Sequence, residues 1–232
     1  MTNIYSHEAS QQQVAAVSPF VTRTFGWMAI GLLLTALIAM WIPESQSLMA
    51  TLLRPGVLIG LIVGELVLVL ALSLAIGRMS AGVAAGAFLL YSALNGVTLS
   101  VLFLIYTKTS IAGTFIVTAG TFGVMAAYGY LTKRDLTSLG SIMLMALIGL
   151  VIASVVNIFW ANDTLYWLIT YAGIGIFVAL TAYDTQKIRE MAYAMEGNVE
   201  LAKKMSILGA LRLYLDFINL FLLLLRVLGR RR

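Results

Sequence analysis

Seven long runs of apolar residues, separated by short polar connectors, constrain this chain more than any other feature of its sequence. The hydrocarbon core of a bilayer is about 30 Å thick, and a helix needs roughly 20 apolar residues to cross it. Each run has about this length, which predicts seven membrane-spanning helices. The predicted segments are residues 20–41, 57–77, 81–106, 111–131, 139–160, 165–183 and 205–228.

The composition excludes an ordinary soluble fold. Of the 232 residues, 61% are hydrophobic and only 11% are charged, whereas soluble domains carry about 25% charged residues. We therefore predict an all-α polytopic membrane helix bundle. Its parts are a polar, disordered N-terminal tail at residues 1–19 and a single transmembrane domain at residues 20–232.

The lack of cysteine and the position of the single histidine exclude several chemistries. Without cysteine there is no disulfide, no cysteine nucleophile and no Cys-based zinc site. His7 lies in the polar tail, so a Ser–His pair inside the membrane is excluded too. We expect no enzyme activity and no cofactor. The net charge of +5 comes mostly from segment ends, where basic residues anchor helices rather than bind nucleic acid.

Basic residues in the connectors predict the orientation of the chain, because short cytoplasmic loops are enriched in Lys and Arg. A cytoplasmic N-terminus places these basic residues inside: Arg23, Arg78, Lys133, Arg134, Lys187, Arg189, Lys203 and Lys204. Arg54 and Lys108 then lie outside. A fully spanning seventh segment would put Arg230, Arg231 and Arg232 outside as well, so a re-entrant segment is an open alternative.

Two aspartates lie within or at the end of predicted spans, where ionisable residues are costly and therefore candidates for function. Asp184 ends the sixth segment and Asp216 lies within the seventh. If the sixth helix continues toward Met191, antiparallel packing brings the carboxylates side by side, and such a pair would share a proton. Simpler interpretations are pairs of Asp184 with Lys187 and of Asp216 with Arg212.

Other polar residues in the spans have two interpretations each. Arg78 ends the second segment and either latches the carboxylates as a cation or snorkels to the interface. Glu65 lies about 20 Å earlier along that helix, near the midplane of the membrane. It is either a protonated acid bonded to a neighbouring helix or a residue of an ion pathway. Asn95 and Asn157 are expected to form interhelical hydrogen bonds rather than to line a pore.

Two glycine pairs have a four-residue spacing: Gly60 with Gly64, and Gly82 with Gly86. Small residues at this spacing let helix backbones approach closely. We therefore expect close helix contacts at these positions within a compact bundle.

The sequence around the two aspartates resembles a known family. The stretches that carry the resemblance are Ala182-Tyr183-Asp184-Thr185-Gln186, Leu213-Tyr214-Leu215-Asp216-Phe217-Ile218-Asn219-Leu220-Phe221, Lys133-Arg134-Asp135-Leu136 and Gly96-Val97-Thr98-Leu99. From about Phe20 to the C-terminus the chain is similar to the Bax inhibitor-1 family. The short tail and loops resemble those of bacterial inner-membrane members, and the family fold implies six helices around a central seventh.

The resemblance implies a pH-sensitive calcium leak. It implies that Asp184 and Asp216 form a paired-aspartate sensor, which could bind calcium transiently, and that Arg78 interacts with this pair in the closed state. A cation at position 212 is not expected from the family motif, and its charge beside Asp216 would change the working pH range. Possible modulators are Arg212, Glu65 and Asn219. The implied partners are the lipid bilayer, calcium, protons and other membrane proteins.

Other functions stay open from the sequence. A proton-coupled secondary transporter usually shows internal repeats or broken helices, and no convincing repeat is present. A non-conducting regulator that binds other membrane proteins is compatible with the small-residue faces. A buried aspartyl pair leaves an intramembrane hydrolase as the least favoured class. Calcium sites use six to eight oxygen ligands, so a transient, hydrated passage fits this chain better than a tight site.

Overall fold

The computed structural model describes residues 2–195 and 198–232, with the backbone alone for residues 2–18. This part of the chain forms nine α-helices and two short 3₁₀ turns, with no β-strand. The helices are α1 Thr2–Trp41, α2 Gln46–Leu52, α3 Pro55–Ala75, α4 Ala81–Leu99, α5 Leu102–Ile105, α6 Lys108–Leu131, α7 Thr137–Trp160, α8 Asp163–Ala194 and α9 Val199–Leu228. The 3₁₀ turns are Ile42–Glu44 and Ile76–Arg78.

The backbone of residues 2–18 forms the first part of α1, whereas the sequence predicts a disordered tail at residues 1–19. The tail and the division of the chain at residue 20 stay predictions.

Seven helical stretches of the described chain are long and apolar enough to cross a membrane. They are Pro19–Glu44, Pro55–Arg78, Ala81–Ile105, Lys108–Leu131, Thr137–Trp160, Asp163–Ala194 and Val199–Leu228. The predicted all-α polytopic bundle is confirmed. The sixth helix continues to Ala194, as the argument for the aspartate pair requires. The seventh is one continuous helix of 30 residues, about 45 Å long, which excludes a re-entrant turn within it.

Short polar side chains begin several helices by accepting hydrogen bonds from exposed backbone N–H groups. Ser80 caps α4 and Thr107 caps α6. The hydroxyl of each accepts a hydrogen bond from the backbone N–H three residues later in the chain. Pro55 occupies the first turn of α3, where its missing N–H is not needed. These helix starts coincide with the short polar connectors that separate the apolar runs in the sequence.

The spans differ strongly in burial. In the most apolar window of each span, 72% of the residues of α9 are buried, against 6% for α3 and none for α7. The side chains of α7 are correspondingly exposed, with Phe159 at 86%. Because lipid solvates such side chains well, α7 has the surface of a lipid-facing helix. The most buried helix is α9, as expected of the central helix of this fold.

The chain divides into two compact units. The first comprises Met1–Ile105 and Ile188–Tyr214, and the second comprises Tyr106–Lys187 and Leu215–Arg232. Helices α8 and α9 each contribute one part to both units.

Glycines allow close helix packing inside each unit. In the first, Gly96 of α4 lies against the backbone of Thr35 on α1. In the second, Gly129 of α6 lies against the backbone of Ala182 on α8. An added Cβ at either position would collide with main-chain atoms that cannot move aside.

These contacts are not at the glycines that the spacing predicted. A Cβ at Gly60, Gly64, Gly82 or Gly86 would meet nothing within 4 Å, so the predicted contact faces are wrong. Four-residue spacing shows only that two small residues share a face. It does not show which face of the helix another helix contacts.

Candidate functional site

Helices α8 and α9 pack against each other in antiparallel directions. In the second unit, Gly173 of α8 faces Leu223 of α9, and in the first unit Ile188 of α8 lies against Gly209 of α9. Residue numbers thus rise along one helix as they fall along the other.

The two aspartates stand on the packed faces of these helices in the second unit. Leu180 of α8 and Leu220 of α9 belong to one buried apolar cluster. Asp184 lies one turn after Leu180, and Asp216 lies one turn before Leu220, so each shares a face with its packed neighbour. Because the helices are antiparallel, both steps lead to the same end of that cluster.

The two carboxylates differ in burial. Asp216 is buried, with 5% of its surface exposed, and Asp184 is half-buried. Both lie next to the apolar cluster of α8 and α9, and their pairing and their sharing of a proton stay predictions.

The segment around Asp184 is held from several sides within the second unit. Ala182 is fully buried against Gly129 of α6, and the ring of Tyr183 lies against Gly140 of α7. Gln186, 2% exposed, holds the connector between α6 and α7. Its Nε2 donates to the carbonyl of Arg134 and its Oε1 accepts from the N–H of Leu136, both at 2.8 Å.

Lys187, the simple partner proposed for Asp184, also has other contacts. Its Nζ donates to Oγ1 of Thr137 at 3.2 Å and lies 5.7 Å from the centre of the Tyr183 ring. A pair with Asp184 therefore stays a prediction, as does the alternative pair of Asp216 with Arg212, which is exposed.

Glu65 lies in a second cluster of polar groups, inside the first unit. Its Oε2 accepts a hydrogen bond from Asn95 at 3.3 Å, and its Oε1 accepts one from Thr98 at 2.5 Å. The hydroxyl of Tyr214 on α9 lies 3.2 Å from Oδ1 of Asn95 and 2.6 Å from Oγ1 of Thr35 on α1. Glu65 thus bonds to the neighbouring helix α4, while its protonation and the alternative of a pathway residue stay predictions. Four helices meet in this cluster.

The two intramembrane asparagines behave differently. Asn95 joins α3 and α9 through its side-chain amide, so its interhelical role is confirmed. Asn157 instead accepts from the N–H of Asn162 at 3.0 Å, close to the left-handed residue Ala161 that ends α7. The prediction for Asn157 needs this correction because that residue is close enough to the end of its helix to bond to the following connector.

Two further predicted residues are Arg78 and Asn219. Arg78 is exposed at the end of the second 3₁₀ turn, in the first unit, where the carbonyl of neighbouring Gly77 accepts from Lys204 at 3.5 Å. Asn219 donates to the carbonyl of Leu215 on its own helix at 2.8 Å. The predicted roles of Arg78 as a latch and of Asn219 as a modulator stay predictions.

Among residues 19–195 and 198–232, whose side chains the structure describes, no group of three or more His, Cys, Asp or Glu is arranged to hold a metal ion. Two polar side chains that were not predicted from the sequence as candidates, Gln186 and Tyr214, form hydrogen bonds to other elements in the structure. Both stand beside the aspartates in the stretches that carry the family resemblance. Each is a polar residue in an apolar helix and could have been noticed for that reason. The charged aspartate two residues away was the more obvious candidate in each case.

Fold and site define the class: a polytopic all-α membrane protein whose most buried helix carries a buried aspartate. The family model described as inhibitor of apoptosis-promoting Bax1 matches residues 17–232. This chain belongs to the Bax inhibitor-1 family.

Relatives match over nearly their whole length. Inner membrane protein YbhL of Escherichia coli (strain K12) is 51% identical over 223 residues, which is 95% of each chain. A protein of Borreliella burgdorferi is 45% identical over 96% of each chain. A membrane protein of Streptococcus pyogenes serotype M1 is 35% identical over 97% of this chain and 98% of its own. These names are not those of enzymes.

Proposed function

We propose that this chain forms a pH-sensitive, calcium-permeable leak in a bacterial inner membrane, with Asp184 and Asp216 as its proton-binding pair. The observation that supports the proposal is that both aspartates lie one helical turn from the apolar cluster shared by α8 and α9, at the same end of that cluster. Two neighbouring carboxylates repel each other when both are ionised, and a shared proton relieves the repulsion.

The two aspartates lie next to the packed contact between α8 and α9. Leu180 and Leu220 pack one turn away from the aspartates, so a change in carboxylate charge acts on a packed interface rather than on a loose loop. On the other side of Asp184, Gln186 ties α8 to the connector between α6 and α7. Protonation at this point can therefore bias the packing of α8 and α9.

Calcium fits the pair as a passing ion. Carboxylate oxygens are ligands that Ca²⁺ prefers, but a tight site needs six to eight oxygens. Two aspartates and water would hold the ion briefly, which suits permeation. No resident cofactor is needed for this activity.

The location and orientation belong to the same proposal. The E. coli relative is named an inner membrane protein, and we propose the same membrane for this chain. The excess of basic residues in the loops on the side of the N-terminus favours a cytoplasmic N-terminus.

Calcium flux into liposomes tests the function directly. Purified protein is reconstituted with an internal calcium dye, and influx is measured at one acidic and one mildly alkaline pH. Influx should rise on acidification in the wild type. The rise should be much smaller in Asp184→Asn, Asp216→Asn and the double variant. Asp163→Asn, a change at the exposed start of α8, is the matched control and should behave as wild type.

The same assay separates the alternatives. No calcium influx from correctly inserted wild-type protein would overturn the leak and favour a non-conducting regulator. An unchanged pH response in the double variant would remove the aspartates as the sensor. Influx that requires an opposing proton gradient would favour a coupled transporter.

The two arginines predicted to act on the pair are tested in the same liposomes. A neutral acid attracts a cation much less than a carboxylate does. If Arg78 is the latch, Arg78→Ala should raise influx at neutral pH. If Arg212 is the main partner of Asp216, Arg212→Ala should shift the pH midpoint and Arg78→Ala should change little.

A further inference from the structure

In the polar cluster around Glu65, the hydrogens that the side chains supply can be compared with the number of hydrogen-bond contacts. The comparison is possible because the members of the cluster are buried or half-buried in one unit. From Glu65 a chain of contacts runs through the amide of Asn95 and the hydroxyls of Tyr214 and Thr35 to the carbonyl of Ser92. The four distances are 3.3, 3.2, 2.6 and 2.8 Å. Each contact needs one hydrogen.

The side chains supply too few hydrogens when Glu65 is ionised. Tyr214 and Thr35 have one hydroxyl hydrogen each. The amide of Asn95 donates in only one direction along the chain, toward Glu65 or toward Tyr214. Three hydrogens thus serve four contacts, and Thr35 must share its own between Tyr214 and Ser92.

A proton on Glu65 supplies the missing hydrogen. An amide can turn by 180° and exchange its nitrogen and oxygen without changing shape. With Asn95 turned, Glu65 donates to Oδ1 of Asn95, Nδ2 donates to Tyr214, Tyr214 donates to Thr35, and Thr35 donates to Ser92. Every contact then has its own hydrogen, and all of them point the same way.

The branch through Thr98 does not remove the need for this proton. The hydroxyl of Thr98 lies 2.5 Å from Oε1 of Glu65 and 3.2 Å from the carbonyl of Leu94. The longer contact is a bond within one helix, to a carbonyl that already serves the helix. Thr98 can therefore give its hydrogen to Glu65, which leaves Oε2 as the oxygen that carries the proton.

We propose that Glu65 is a proton-binding site in the first unit, neutral at neutral pH, whose proton completes a hydrogen-bond chain to Tyr214 on α9. Glu65 is close to the middle of the span Pro55–Arg78, where a charged side chain is costly. The titratable groups that face it among the described residues are the phenols of Tyr91 and Tyr214, neither of which supplies a positive charge. This site is distinct from the aspartate pair and does not depend on the proposed leak.

Infrared spectroscopy tests the proton directly. A protonated carboxylic acid has a carbonyl stretch above the amide band, and a carboxylate does not. At neutral pH, Glu65→Gln should remove an acid band that the wild type shows. The control is Glu44→Gln, because Glu44 is an exposed carboxylate at the end of the first span. This change should leave that band unchanged. Identical spectra for Glu65→Gln and the wild type would overturn the proposal.

Tyr214→Phe tests the chain rather than the proton. Loss of the phenol should shift the acid band of Glu65, because Asn95 then loses its other partner and bonds Glu65 differently. An unshifted band would overturn the coupling to α9.

Stability against pH gives a readout independent of spectroscopy. Gln at position 65 copies the protonated acid, since its amide donates to Asn95 and its oxygen accepts from Thr98. Glu65→Gln should unfold at the wild-type temperature in acid, below the usual pKa of a free glutamate, about 4.3. As pH rises from there through neutral, the wild type should lose more stability than the variant, because the unfolded wild type releases its proton while the folded state keeps it. Equal loss in both proteins would contradict the proposal.

Discussion

The two units hold their polar groups in different ways. In the first, a chain of hydrogen bonds joins α1, α3, α4 and α9 at Glu65 and Tyr214. In the second, glycine contacts and an apolar cluster bring helices together. Asp184 and Asp216 each lie one helical turn from a residue of that cluster. Polar residues inside a membrane protein are therefore not one class. Glu65 lies within a chain of hydrogen bonds, whereas Asp184 and Asp216 lie next to an apolar cluster.

The largest effect should come from filling a glycine contact in the second unit. Gly129→Leu places a side chain against the backbone of Ala182. Overpacking costs about 1–3 kcal/mol even where neighbours can move, and a backbone neighbour cannot. We expect little or no monodisperse protein in detergent, measured by size-exclusion chromatography. The control is Gly123→Leu on the same helix, where a Cβ meets nothing within 4 Å. Equal yields of the two variants would contradict the close contact.

A smaller effect is expected at Gln186, whose side chain holds the connector between α6 and α7 in the second unit. Gln186→Met removes both bonds to the connector at residues 132–136 and should cost about 1–3 kcal/mol if the backbone groups stay unpaired. The connector contains Lys133 and Arg134, so its release should raise the rate of tryptic cleavage there. Gln46→Met, at an exposed glutamine, is the control. An unchanged cleavage rate would show that the connector is held by other contacts.

The hydrogen-bond chain of the first unit should respond more mildly. Tyr214→Phe keeps the edge contacts of the ring with Phe88 and Tyr91 but removes the hydroxyl. Interhelical hydrogen bonds in membranes are worth about 0.6–1.7 kcal/mol, so thermal unfolding should occur at a modestly lower temperature. The control is Tyr171→Phe, where the tyrosine is 58% exposed. If both variants unfold alike, the phenol does not stabilise the unit.

The smallest effect is expected outside the membrane, at Asp135. Hydrogen bonds from the hydroxyl and the N–H of Thr137, with the charge of Lys187, hold the pKa of Asp135 below its usual value. The ionised form therefore stabilises the start of α7 above the unfolded pKa, and this contribution is lost as pH falls through the folded pKa. Asp135→Asn should unfold slightly below the wild type at neutral pH, with the difference disappearing in acid. A difference that persists in acid would mean that charge is not its source.

The seven spans were predictable because a bilayer sets a minimum length for an apolar helix. All seven predicted segments fall within or closely overlap the helical spans, and the family resemblance rested on residues that the match over 17–232 includes. Asp184 and Asp216 were also visible as candidates, since charge in an apolar run stands out in any sequence. Their position at one end of the apolar cluster follows from the extension of the sixth helix and an antiparallel partner.

Burial and partners were decided by the tertiary structure alone. The two most apolar spans, α3 and α7, are the least buried, because lipid is as good a solvent for apolar side chains as a protein interior. Hydropathy therefore carries no information about which helix is inside. For the same reason the glycine spacing at Gly60 and Gly64 pointed to a contact that does not form. The bonds from Glu65 through Asn95 to Tyr214 join residues far apart in the chain, and only the packing of four helices brings them within reach.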